Sequence, residues 1–251
     1  MKVSIITITY NSAETVEDTI QSVLSQDYPN IEYIIVDGAS KDGTMDIVNR
    51  YSDRISTIHS GPDKGIYDAM NKGVQLATGD VVGILNSDDF YADTHVISDV
   101  VASFNTKQCD AVYADLVYVD RNDTSRVLRT WISGSYRQGQ FLSGWMPPHP
   151  TFFVRKKKYD AYGLYSLQLR SAADYELMLR FMHKHAISVN YLPRIITKMR
   201  AGGQSNVSLK NRWKANREDR LAWKMNGLQP GVFTLLRKPL SKLKQYFISS
   251  K

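Results

Sequence analysis

The chain of 251 residues contains one cysteine, Cys109. No internal disulfide can form, so a reducing compartment, the cytoplasm, is the expected location. No stretch approaches the ~20 consecutive apolar residues that cross a bilayer. The opening Met1-Lys2-Val3-Ser4-Ile5-Ile6 runs at once into a β-branched segment, without a signal-peptide pattern. No G-x-G-x-x-G follows that segment, which argues against a dinucleotide-dependent oxidoreductase. Thr7 to Ser12 also lacks the Gly-rich loop with a basic residue that a nucleotidyltransferase would use. There is no internal repeat, no low-complexity segment and no recognisable nucleic-acid motif, so nucleic acid is not an expected partner.

Charge is present but uneven. The net charge is +7, and 206–251 holds eleven Lys or Arg against Glu218 and Asp219, a local balance of +9. Met1 to Ser205 therefore carries the remaining −2. A near-neutral body is followed by a strongly basic extension.

Along the body, apolar periodicity alternates. Val3 to Thr9 reads as a strand, and Asn11 with Glu14 three residues on resembles a capping box. Val16, Ile20, Val23 and Leu24 recur at helical spacing up to about Gln26. Ile31 to Val36 is a second strand, ending at Asp37-Gly38-Ala39-Ser40. A helix around Ile47, Val48 and Tyr51, a strand over Ser56 to His59 and a helix over Tyr67 to Leu76 follow. Val81-Val82-Gly83-Ile84-Leu85 then leads into Asn86-Ser87-Asp88-Asp89. The alternation predicts an α/β fold with a mostly parallel sheet covered on both faces. Right-handed crossovers bring Asp37 and Asp88-Asp89 to one edge of it.

From Cys109 the pattern changes. Ala111 to Val119 and Thr151 to Val154 read as strands, Trp131 to Ser143 as irregular, and Met146 to Pro150 as extended because of its prolines. Ala172 to His183 reads as a helix. The division expected is a catalytic domain over 1–205, with a nucleotide-binding half (1–108) and an acceptor-binding half (109–205), then a basic extension over 206–251.

Asp88-Asp89 is the most informative pair. Adjacent carboxylates at the carboxyl end of a buried strand lie where ligands of open α/β sheets bind. Their mutual repulsion favours a cation between them, and oxygen-only ligands suit Mn²⁺ or Mg²⁺ shared with a substrate phosphate. The alternative is a helix-capping Asp88 beside a solvated Asp89.

The motifs together resemble glycosyltransferase family 2, with its Rossmann-like GT-A fold, over about Met1 to Ser205. The carriers are Ser4 to Asn11, Ser22 to Gln26, Ile34 to Thr44, Gly65 to Gly73, Ala77 to Asp80, Leu85 to Asp89 and Ser171 to Leu177. The resemblance implies an inverting, metal-dependent transferase of surface-polysaccharide type. Its donor is a nucleoside diphosphate sugar, a UDP-sugar first, and its acceptor a glycan or lipid-linked hydroxyl. Tyr10 matches the aromatic position that stacks the base, flanked by Thr9 and Asn11. Asp37 faces the nucleoside, and Lys64 and Asn71 belong to the same donor site. Asp89 is the expected direct metal ligand, with Asp88 shared between metal and ribose. Asp174 matches the catalytic base at a helix N-terminus, and Arg200 the stretch that closes over the diphosphate. His149 is expected on the acceptor side or near the metal.

Two departures stand out. Many members carry a second acid after Asp37, where this chain has Gly38. The family's Glu before the base is Ala173 here. These departures give some support to a degenerate nucleotide-sugar-binding or scaffolding relative. Retention of Asp37, Asp88, Asp89 and Asp174 favours the active enzyme.

In the extension, Trp213, Leu221, Trp223, Met225, Phe233, Leu235, Leu236, Leu240, Leu243, Tyr246 and Phe247 are interleaved with Lys and Arg. Such a pattern suits peripheral contact with the cytoplasmic membrane face. The alternatives are helices packed on the catalytic domain or a homodimer contact.

Overall fold

The computed structural model describes residues 1–202, 209–231 and 234, with side chains of the last helix from Arg217 onward. The strand β1 (Val3–Thr9) is buried at every position, so it is covered on both faces. Its alternate side chains enter two separate cores: Val3 and Ile5 one, Ile6 and Ile8 the other. This is the two-residue period of a strand expressed as two layers of packing. β2 (Ile31–Asp37) and β4 (Val81–Asn86) divide their side chains the same way.

One layer is α1 (Val16–Leu24), α2 (Thr44–Asn49) and α4 (Val96–Lys107). The other holds α3 (Ile66–Leu76) and α6 (Ala173–Met178), with α5 (Lys156–Tyr162) contributing Tyr159. β3 (Thr57–Ser60), β5 (Asp89–Tyr91), β6 (Ala111–Val119), β7 (Val127–Trp131), β8 (Phe153–Arg155) and β9 (Val189–Arg200) complete the strands. The sheet runs β3-β2-β1-β4-β8-β6-β9-β5, with β7 on β6. β1 to β4 are parallel, as the alternation predicts, and β6 pairs β9 in parallel. β8, β7 and β5 run against their partners.

Register sets the site. Thr9 lies beside Asp37, and Ile8 beside Asn86, so three carboxyl ends are level. The chain then turns at Ser87-Asp88 and pairs Asp89 with Met199 of β9. Asp37 and Asp89 therefore do share an edge.

The sequence reading needs correction in several places. No side chain caps α1: Asn11 instead adopts φ 49° and accepts from the Lys41 amide, while Glu14 pairs with Arg121. The helix expected over Ala172 to His183 widens into a π-helix at Leu179–Lys184. The extended segment ends at Pro148, and His149–Thr151 form a 3₁₀ turn. α4, β7 and β9 were not anticipated. Pro193 and three basic residues disguise β9 as a loop, although it joins β6 to β5.

The last helix, α7 (Leu209–Met225), packs on α6. Trp223 is buried and donates to the Tyr175 hydroxyl at 2.9 Å; Asn226 donates to Glu176 at 2.9 Å. The Glu218 carboxylate accepts from the Arg170 and Ser171 amides. These contacts cross the boundary expected at residue 205. Trp223, expected at a lipid surface, belongs to a protein core instead. Trp213, Phe233, Leu235, Leu236, Leu240, Leu243, Tyr246 and Phe247 lie outside the described side chains. Among the described residues no helix is long and apolar enough to cross a membrane.

At the opposite end of the strands, buried Glu32 accepts from Lys2 (2.6 Å), Ser4 (2.5 Å) and both the amide and hydroxyl of Thr78 (2.7 and 2.5 Å). Burial opposes its charge, but these donors win and lower its pKa from 4.5 to about 2. A depressed carboxyl pKa stabilises the fold above the unfolded value and loses that contribution as pH falls. Urea midpoints should therefore drop between pH 4.5 and about 2. Glu32→Gln should be less stable at pH 7 and show a shallower acid decline. An unchanged pH profile in that variant would contradict this role.

Candidate active site

The carboxyl ends of β1 and β2 carry the first group. Asp37 is fully buried, accepting from the Ser40 hydroxyl at 2.5 Å, the Ser60 hydroxyl at 2.6 Å and the Ser40 amide. Asn11 bridges the same loop through the Ser40 hydroxyl and the Lys41 amide, each at 2.8 Å. Asn11 thus ties the loop after β2 to the end of β1, and Asp37 ties that loop to Ser60 at the end of β3. Between them Tyr10 stands 57% exposed, a free aromatic face at the rim.

The second group lies at the mouth of β4. Asp89 has no exposed surface, and one carboxylate oxygen accepts from the Asn86 side chain at 3.1 Å. The other oxygen, Oδ1, is buried without a partner, as are Asn86 Oδ1 and Thr9 Oγ1 at the same sheet edge. Burial pushes the Asp89 carboxyl well up, and the neighbouring Asp88 charge pushes further; Asn86 and Arg200 oppose them. Asp88 is raised by burial, against Arg121 and Arg200. The reading of Asp88 as a helix cap and Asp89 as a solvated turn residue fails, because a strand follows and Asp89 is sealed. Orphaned buried oxygens are rare and costly, about 1–3 kcal/mol each. Hard divalent cations take such oxygens, so this donor set fits Mn²⁺ or Mg²⁺. Among the described residues, no group of three or more acidic, His or Cys side chains is assembled for a metal. The remaining ligands would have to come from substrate or water.

Arg200 secures this turn from behind. It is 5% exposed, donates to the Asp88 carbonyl at 3.0 Å, pairs with Asp18 and lies over the Phe90 ring at 4.8 Å. It is not a surface arginine, and its guanidinium is engaged with protein groups rather than open to a phosphate.

The third group centres on α6, in the second half of the chain. Asp174 begins α6, where a carboxylate is favoured by the helix N-terminus, and its Oδ1 accepts from the Tyr67 hydroxyl at 3.1 Å. Burial and the Asp174 charge push the Tyr67 hydroxyl far up, so it remains a donor. Tyr67 stacks on Tyr165 at 5.9 Å, and the Tyr165 hydroxyl meets His149 Nε2 at 2.8 Å. His149 is buried, and burial pushes its pKa down against the pull of Asp174, favouring a neutral ring. It supports the Tyr165 layer behind Asp174 rather than lining a surface. Asn71, expected at the donor, clamps Tyr165 through both main-chain groups at 2.9 and 2.8 Å. Lys64 is exposed in the loop before α3.

Three carboxylate groups thus stand on one side of the sheet, one of them with an unsatisfied buried oxygen. The family model described as "Glycosyl transferase family 2" matches residues 4–174. The chain belongs to glycosyltransferase family 2.

Family relatives extend the match. The PGL/p-HBAD biosynthesis glycosyltransferase of Mycobacterium bovis BCG is 30% identical over 209 residues, covering 81% of this chain and 79% of that protein. The UDP-Glc:alpha-D-GlcNAc-diphosphoundecaprenol beta-1,3-glucosyltransferase WfaP of Escherichia coli is 40% identical over 99 residues, 39% of either chain. Among solved structures, S. aureus TarS 1–349 with UDP-GlcNAc superimposes with TM-score 0.70 at 18% identity, over 98% of this chain and 73% of that one. The mannosyltransferase PcManGT from Pyrobaculum calidifontis, with GDP-Man and Mn²⁺, gives TM-score 0.66 at 18% identity, over 100% and 76%. At that identity both bear on the fold alone, and it is the GT-A arrangement that the motifs imply.

Tyr165 and Asp18 lie outside the motifs, and Tyr67, inside the Gly65 to Gly73 motif, carries no sign there of its bond to Asp174. The anchoring role of Arg200 is testable. Arg200→Lys keeps the charge but cannot serve the Asp88 carbonyl, Asp18 and the Phe90 face together. It should lower stability by about 1–2 kcal/mol. Urea denaturation checks this, and an unchanged midpoint would return Arg200 to a loose surface position.

Proposed function

We propose that this family 2 glycosyltransferase moves a sugar, with inversion, from a UDP-sugar to a hydroxyl of a glycan or lipid-linked acceptor. The observation that carries the reading is the pairing on one side of the sheet of two chemistries. One is a sealed carboxylate with an orphaned oxygen, Asp89. The other is a half-buried carboxylate, Asp174, whose Oδ1 accepts from the Tyr67 hydroxyl.

The free oxygen of Asp174 takes the proton from the acceptor hydroxyl as that oxygen attacks the anomeric carbon. The bond from the anomeric carbon to the diphosphate breaks, and its electron pair leaves on the phosphate oxygen. Attack from the face opposite the leaving group inverts the configuration, so an α-linked donor gives a β-linked product. Tyr67 fixes the carboxylate so that proton transfer and attack coincide. Tyr10 offers its face to the base. A divalent cation bound by Asp89 and Asp88 would supply positive charge for the diphosphate.

Known proteins of the same fold or family support the choice of substrate class. TarS has been crystallised with UDP-GlcNAc, and PcManGT with GDP-Man and Mn²⁺. The WfaP name couples a UDP-sugar to a diphosphoundecaprenol-linked acceptor. A lipid-linked acceptor would give the basic 206–251 segment a reason to meet an anionic membrane surface at the cytoplasmic face.

Nucleotide release should be followed from a panel of UDP-, GDP- and dTDP-sugars with Mn²⁺ or Mg²⁺, and with EDTA. Slow hydrolysis of a UDP-sugar, lost in EDTA, is expected. Asp174→Asn should abolish turnover and leave donor affinity within about twofold, because the change removes the base and not the binding site. Near-normal turnover in that variant would take Asp174 out of the role.

A further inference from the structure

The absence of an acid at Gly38 has a structural counterpart. A Cβ built on Gly38 would lie 2.5 Å from Asp63 Oδ2 and 3.3 Å from the Tyr10 ring edge. The carboxylate of Asp63 therefore fills the volume that a side chain at position 38 would occupy, beside the exposed aromatic face. Its other oxygen is pinned by the Gly65 amide at 2.8 Å, so its orientation is set by the chain itself. Asp37, by contrast, is buried beneath and already accepts from Ser40 and Ser60. The carboxylate presented beside Tyr10 is that of Asp63.

We propose that Asp63 is the base-reading residue of this enzyme, accepting the ring N–H of a uracil stacked on Tyr10. It thereby stands in, from the loop before α3, for the acid missing at position 38. The inference rests on the transferase reading above and deepens it by naming the base. An ionised carboxylate only accepts hydrogen bonds. Uracil offers a ring N–H at the position where cytosine offers a lone pair, so Asp63 attracts the first and repels the second. The aromatic face supplies stacking, which tolerates either base. Selectivity between them then falls to the carboxylate.

The placement also joins the two ends of the mechanism. Asp63 precedes α3 by three residues, and α3 carries Tyr67, which holds Asp174, and Asn71, which clamps Tyr165. A base seated on Asp63 bears on the helix that positions the general base.

Calorimetric titration of UDP and CDP into the full chain tests the assignment. Wild type should favour UDP. Asp63→Ala should weaken UDP by about tenfold to a hundredfold, the worth of a hydrogen bond to a charged group, and tighten CDP by relieving the repulsion of its ring lone pair. Asp63→Asn retains an acceptor for the Gly65 amide, and so keeps the loop, but its amide group can donate or accept. It should bring UDP and CDP close together. Gly38 has no positive φ that would bar a side chain; Asp63 Oδ2 is the main obstacle to one, and the Tyr10 ring edge would have to give slightly. Gly38→Asp alone should disturb UDP binding, whereas Gly38→Asp with Asp63→Ala should recover most of the affinity lost in Asp63→Ala. Unchanged UDP affinity in Asp63→Ala, or a double variant as weak as that single one, overturns the assignment of Asp63. If wild type binds neither nucleotide, the transferase reading itself falls, and this one with it.

Discussion

The placement of two adjacent carboxylates at the mouth of the sheet, Asp89 buried and Asp88 half-buried, is the constraint on which the rest of the structure depends. Asp88 and Asp89 are placed by the end of β4, and nothing in a simple α/β sheet tolerates them there without help. The help comes from distant parts of the chain. Arg200, at the end of β9, grips the Asp88 carbonyl and pairs with Asp18 on α1. Thr19 of α1 donates to the Asp89 carbonyl at 2.7 Å, and Asn86 to its carboxylate. These contacts explain why β5 and β9 must pair and why α1 must lie where it does. What they leave undone, the bare Asp89 Oδ1, is the opening for a ligand.

The two halves of the enzyme are joined by α3. Its outer turn carries Tyr67 to Asp174, and Asn71, about one turn further in, grips Tyr165. The Tyr67, Tyr165 and His149 side chains form a packed aromatic wall behind Asp174. The residue before Asp174, where the family's Glu is expected, is the buried Ala173. Loss of one acidic neighbour is thus accompanied by a hydroxyl donor from another element. The same logic holds at Gly38, where Asp63 fills the space.

The parallel half of the fold was legible because its strands are buried on both faces and its helices amphipathic, so Val3–Thr9, Ile31–Asp37 and Val81–Asn86 announce themselves. Asp37, Asp88 and Asp89 were legible for the same reason: Asp37 ends such a strand, and Asp88-Asp89 follow closely on the end of another. The second half was harder to read. β9 contains Pro193 and is only partly buried, so periodicity misses it, and β8 is three residues long. Asn71 and His149, read from the sequence as ligand-facing, are buried and bond to Tyr165. Their long-range partner, Tyr165, is separated from Asn71 by 94 residues, and no local pattern encodes that contact. Asp63 has no local signal either; only the space above Gly38 reveals it.

The most direct test is the calorimetric affinity of wild type and Asp89→Asn for UDP, each with Mn²⁺ and with EDTA. If Asp89 and Asp88 hold a cation against the diphosphate, Mn²⁺ should tighten UDP binding by at least about tenfold in wild type, a difference near 1.4 kcal/mol. That gain should vanish in Asp89→Asn while the metal-free affinity stays close to wild type. Equal UDP affinity with Mn²⁺ and with EDTA in wild type would contradict the account.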